Sequence, residues 1–136
     1  WSLKEPWGTS PVPELYVREL AGSPQLVRVT AGEIFDVAVD LRKSSPTFGR
    51  WVGSRLSASN MRMVWVPPGF GHGFYVTAGP AEVQYKCSEY YSATHERCIR
   101  WDDPDLAIEW PLEGDPILSD RDRLQAQPFA SAECFP

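Results

Sequence analysis

A chain of 136 residues leaves room for one hydrophobic core and little for a second. Thirteen Lys and Arg against eighteen Asp and Glu give a net charge of −5 with no basic stripe, which argues against nucleic acid or an anionic membrane as the main partner. Thirteen prolines, about twice the usual share of roughly 5%, exclude a mostly helical chain.

No run approaches the roughly eighteen apolar residues of a membrane span, and the start lacks the basic and apolar regions of a secretory signal. A soluble, cytoplasmic protein is expected. The first residue is Trp1 rather than Met, so the chain is expected to be processed, truncated or read from an unusual start. Cys87, Cys98 and Cys134 are odd in number and show no Cys-x-x-Cys spacing, which predicts reduced thiols rather than a disulfide framework or a zinc site.

Residues 1–24 carry Pro6, Pro11, Pro13 and Pro24 and read as an arm holding at most one short strand or helical turn near Glu14–Leu20. A main domain over 25–136 follows. Leu26–Val29 and Ile34–Leu41 alternate apolar residues around Ala31-Gly32, the pattern of two antiparallel strands joined by a tight turn. Asp36 and Asp40 within it are expected to face solvent. Phe48–Leu56 and Arg62–Val66 predict further strands, and Pro67–Gly73 a bent glycine loop. Phe74–Val76 and Ala81–Lys86 flank Ala78-Gly79-Pro80 as a hairpin. Leu106–Trp110 reads as an extended piece and Asp120–Gln125 as a helical turn. Seven or eight short strands with turns every 8 to 12 residues define an all-β chain, a β-sandwich or jelly roll.

The chain has two histidines, His72 and His95, too few and too far apart for the His cluster of a metal-dependent jelly roll. No Gly-x-Ser-x-Gly elbow or phosphate-binding glycine loop is present. What remains are single acid and base groups. His72 in its glycine-dense loop either points inward or satisfies a loop carbonyl. Tyr85, on one face with Val83, is a core phenol or a site group. Asp122 reads locally as a helix-turn charge. Tyr90 and Tyr91 either stack on a base or seal a sheet edge. Arg28 is within reach of a diphosphate or simply exposed.

Taken in order, FDVAVDLRKSSPTFGRWVG, WVPPGFGHGF, EVQYK followed by YY, HERCIRWDDPDLAIEWP and PILSDRD resemble the dTDP-4-dehydrorhamnose 3,5-epimerase family from about Leu26 to Asp122. The resemblance implies a jelly-roll, cupin-like β-sandwich, a homodimer, and action without metal or cofactor on a dTDP-4-keto-6-deoxy sugar. A carbon beside the C4 ketone loses a proton and regains it on the opposite face. It further implies Tyr85 as the acid, His72 as a pocket histidine, Asp122 in the Ser119-containing LSDRD block as the aspartate supporting the base, and Tyr91, with Tyr90 beside it, as a pocket aromatic. Gln25 stands where the family has an enolate-stabilising lysine, and the family's base histidine falls near Leu15. These two departures leave a second expectation open, a relative that binds the sugar nucleotide or serves as a dimeric interaction module without turnover.

Overall fold

The computed structural model describes residues 14–18, 24–88 and 96–136. Six strands, β1 (Glu14–Arg18), β2 (Gln25–Asp40), β3 (Trp51–Ser57), β4 (Met63–Val66), β5 (Phe70–Cys87) and β6 (Glu96–Cys98), are followed by one short helix, α1 (Asp120–Leu124). The sheet runs β3-β2-β5-β1-β6, with β4 paired to β2.

The expected turn at Ala31-Gly32 and the expected hairpin at Ala78–Pro80 are both absent. β2 is one strand of 16 residues and β5 one of 18, paired antiparallel from Gln25↔Cys87 to Asp40↔Phe70. In place of turns the pairing carries register shifts between Val29 and Ile34. A bulge uses the same residue types as a turn, glycine for positive φ and proline where no ladder N–H is needed. Gly32 (φ +71°) lies so close to the opposite strand that an added Cβ would sit 2.6 Å from the Ala78 and Pro80 carbonyl oxygens. The predicted loop at Pro67–Gly73 likewise shrinks to 67–69, because β5 begins at Phe70, and His72 lies on a strand. Leu106–Trp110 forms no strand; Ala107 adopts φ 47° there.

The bulges decide which side chains meet. Val27 and Val29 are odd-numbered and Ile34 and Ala38 even-numbered, yet all four lie in one buried cluster with Leu56 and Val66. On β5, Phe70, Phe74 and Val76 pack against this cluster before the bulge, and Val83 and Tyr85 after it. A shifted register exchanges the faces of a strand, so the irregularity keeps both halves of β2 and β5 pointing into the same core. The opposite face carries Val37, Val39 and Leu41, covered by Ile99, Leu106, Cys134 and Phe135 from the C-terminal segment. Each fully buried aliphatic side chain contributes roughly 1.5–3 kcal/mol. Apolar layers on both faces, with almost no helix, make this the expected β-sandwich.

Two aspartates expected at the surface are buried, Asp36 at 2% and Asp40 at 1% exposure. Their strand has a packed layer on each side, so period-two alternation carries no information about solvent. Asp40 closes the β2 end: its carboxylate accepts hydrogen bonds from Arg42 N, Nε and Nη2, from Ser45 Oγ and from Thr47 Oγ1, at 2.6–3.0 Å. The Arg42 guanidinium holds the Asp40 carboxyl well below its ordinary value.

Candidate active site

His72 and Tyr85 both project from β5 but on opposite sides of the bulge, and both reach the first core. His72 pairs across the sheet with Ala38, and Tyr85 with Val27. Gln25, with the parity of Val27, lies opposite Cys87 and Val66. The structure therefore gathers three of the predicted site residues, His72, Tyr85 and Gln25, around one interior.

His72 is 7% exposed, and its Nε2 lies 2.7 Å from Asp36 Oδ2. A carboxylate can only accept, so Nε2 carries the proton and donates it to Asp36. The ring is further set by Phe74, with centroids 6.4 Å apart at 43°. Asp36, the buried partner of His72, is the member of the group that sequence reasoning missed. The available signal was its even parity with Ile34 and Ala38, which the assumption of a solvent face concealed.

Asp122, which the resemblance makes the support of a base at the Leu15 position, has its described partners on β6 and α1. It is 7% exposed, and its carboxylate accepts from Cys98 Sγ at 3.2 Å and from Ser119 Oγ at 2.5 Å. Ser119 also accepts from the Asp122 N–H at 3.2 Å, which makes it the N-terminal cap of α1. Cys98 stands in the same cross-sheet row as His72, through the backbone pairs Cys98↔Tyr16 and Tyr16↔His72. Asp122 thus ties β6 to α1.

Arg28 is not part of this group. It alternates with the buried Val27 and Val29, is exposed, and donates from Nε and Nη2 to Gln84 Oε1 at 3.1 and 2.8 Å. Tyr90, Tyr91 and His95 fall outside the described residues. Among the described residues no group of three or more His, Cys, Asp and Glu side chains is arranged to hold a metal ion, and no helix is long and apolar enough to cross a membrane. An open groove of about 290 Å³ between Trp101, Asp102, Trp110 and Leu112 shares no residue with the His72 group.

An imidazole oriented by a buried carboxylate, with a phenol and an amide on the same core of a β-sandwich, defines the class: a cupin-like β-sandwich protein. Residues 15–130 match the family model described as dTDP-4-dehydrorhamnose 3,5-epimerase, and the chain belongs to that family. It is 56% identical over 120 residues to the dTDP-4-dehydrorhamnose 3,5-epimerase of Pseudomonas aeruginosa, covering 88% of this chain and 65% of the relative, and 51% identical over the same span to that of Shigella flexneri. The chain thus spans about 65% of the length of these relatives. Among solved structures it resembles the Legionella pneumophila dTDP-6-deoxy-D-glucose-3,5-epimerase in complex with dTDP-4-keto-L-rhamnose (TM-score 0.85, 40% identity, 97% of this chain and 72% of that one). It also resembles a 3'-monoepimerase from Streptomyces bikiniensis in complex with dTDP-quinovose (TM-score 0.81, 31% identity, 96% of this chain and 65% of that one).

Proposed function

We propose that the protein epimerises a dTDP-4-keto-6-deoxy sugar at carbon beside its C4 ketone, as a cytoplasmic homodimer and with no cofactor. The observation that carries this reading is the interior group on β2 and β5: His72 bound to Asp36, with Tyr85 and Gln25 on the same core. Inverting such a carbon needs one group to remove a proton, another to return it from the opposite face, and a donor for the enolate oxygen.

In this reading Tyr85 returns the proton. The Gln25 amide serves the enolate oxygen: the residue is 7% exposed, and the structure gives its side chain no hydrogen-bond partner among the described residues. No side-chain nitrogen or oxygen among the described residues is both sealed from solvent and unpartnered, so the Gln25 amide reaches accessible space, where it can donate to a ligand oxygen. A neutral amide stabilises an enolate less than an ammonium would, since charge-assisted bonds are roughly twice as strong. Tyr90 and Tyr91 are assigned to the sugar-nucleotide pocket by the family resemblance alone. Ser119 acts on it only through Asp122. Pairing of two copies is supported by the exposed Met63 and Trp65 on β4, an edge strand.

Incubation with the dTDP-4-keto-6-deoxy sugar in deuterated water tests the reading. Deuterium is expected at one or both carbons beside the ketone, and NMR of the product separates a single from a double epimerase. Binding of dTDP without any label would make the chain a sugar-nucleotide binder. Absence of both would leave only the interaction module.

A further inference from the structure

We infer that residues 1–13 of this chain, the segment leading into β1, dock in the open groove formed by Trp101, Pro104, Ile108, Trp110 and Leu112 and strap β1 to the sheet. The groove, of about 290 Å³, lies on the outer side of the second core: Ile108 and Trp110 pack against that core yet stay only half-buried, as does Trp101. Its walls are fixed. Trp110 Nε1 donates to the Trp101 carbonyl oxygen at 2.9 Å, and the Trp110 ring meets Phe35 edge-on, with centroids 6.2 Å apart at 80°. Two indoles held in this way present a rigid apolar surface to whatever covers them.

Two separate registers bring the start of β1 to this place. Across β6, Arg18 pairs with Glu96, Val17 with Arg97 and Tyr16 with Cys98. The same register carried three residues further sets Trp101, a wall of the groove, beside the chain entering β1. Across β5, Glu14 pairs with Phe74 and Phe74 with Asp36, so Glu14 stands about 10 Å from Asp36 at the usual strand spacing. Phe35, next to Asp36, carries the ring that touches Trp110. Trp7 precedes Glu14 by seven residues, a reach of up to about 25 Å for extended chain, more than these two strand spacings require.

The composition of the segment suits the groove and suits open solvent poorly. Residues 1–13 hold Trp1, Leu3, Trp7 and Val12 together with Pro6, Pro11 and Pro13. Proline favours the extended, unpaired backbone that aromatic-lined grooves receive, and each indole carries about 150–250 Å² that docking removes from water. Among the described residues lining the groove there is no Lys or Arg. Asp102 is engaged by Arg100 at 2.9 and 3.0 Å, whereas Glu109 is exposed and has no hydrogen-bond or ion-pair partner among the described residues. Lys4 is the one cation of residues 1–13, and the groove offers it a carboxylate without a competing base. Seated there, the segment anchors the strand that pairs Tyr16 with His72, so the groove sets how firmly β1 is held beside the proposed site.

Chymotrypsin cleavage after Trp7 in the full chain, followed by mass spectrometry, is the test. A docked segment is cut only when it opens, so the Trp7–Gly8 bond should be hydrolysed at least about tenfold more slowly than in a synthetic peptide of residues 1–18. Ala107 is exposed at the groove; Ala107→Arg fills it and should bring cleavage to within a few-fold of the peptide. Glu109→Arg is the second variant, and whichever of the two keeps cooperative urea unfolding is read. Cleavage of the wild type at the peptide rate overturns the proposal. Protection that survives in the groove variant also overturns it, because the segment is then covered elsewhere. NOEs from residues 1–13 to the Trp101 and Trp110 indoles should be present at every protein concentration; NOEs that grow in only as concentration rises would give the groove to a second copy and overturn docking within one chain.

Discussion

Replacing Asp40 by asparagine isolates what one buried charge does for the fold. Its carboxylate gathers five donors at 1% exposure. Asparagine keeps one oxygen, so the Ser45 and Thr47 hydroxyls, now 2.6 Å from a charged oxygen, must turn to meet an amide nitrogen. Exchanging two charge-assisted bonds for neutral ones costs about 1 kcal/mol each. The Arg42 side chain is 44% exposed, so solvent screening keeps its loss small beside these two bonds. The expected cost is about 2 kcal/mol, or a Tm lower by on the order of 10 °C.

This stabilisation depends on pH. The folded Asp40 carboxyl lies below its ordinary value of 3.8, so its contribution is fully present above that value and is lost as pH falls through the folded one. Asparagine takes up no proton. Urea unfolding followed by tryptophan fluorescence should therefore show a constant gap between wild type and Asp40→Asn from pH 7 to about 5, narrowing below about 4. A gap under about 1 kcal/mol at pH 7, or one unchanged at pH 3, would refute the reasoning.

Three further substitutions probe other parts of the structure. Gly32→Ala, at positive φ and with Cβ 2.6 Å from two carbonyl oxygens, should destabilise by about 2–4 kcal/mol; a urea midpoint close to wild type would count against the bulge geometry. Arg28→Ala removes only the exposed bond to Gln84, so stability should move by less than about 0.5 kcal/mol and calorimetric dTDP affinity should stay put, whereas a tenfold weakening would return Arg28 to the pocket. Gln25→Leu replaces an amide that has no hydrogen-bond partner among the described residues and reaches accessible space. Stability should hold or rise by up to about 1 kcal/mol while turnover of the keto sugar falls about tenfold; unchanged turnover would remove Gln25 from the reaction.

Sequence reasoning located the apolar stretches that became β3, β4 and both halves of β2 and β5, because alternation and residue type survive any rearrangement of partners. It read Gly32 and Gly79-Pro80 as turns, since a turn and a bulge ask for the same local conformations. Only the partner strand, more than forty residues away, distinguishes the two. The same long-range pairing explains the errors at Asp36 and Asp40, whose second covering layer arrives from distant segments. His72 and Tyr85 were found as chemistry-bearing residues, but their meeting on one core depends on a parity change that no local window contains. Asp122 read locally as a helix-turn charge, whereas it is buried between the Ser119 hydroxyl and a thiol contributed by Cys98, far back in the sequence.

The unbroken ladder between β2 and β5 has a consequence for motion. Gln25, Asp36, His72 and Tyr85 all sit on these two strands, and the strands stay paired along almost their whole length. No segment of them can open alone without exposing the core that the rest of the ladder covers, so the site lies in the most cooperative part of the molecule. Amides flanking His72 and Tyr85 should then exchange with solvent only when the entire domain unfolds. Access for a ligand must come from the segments around the ladder, while the side chains of the proposed site stay fixed.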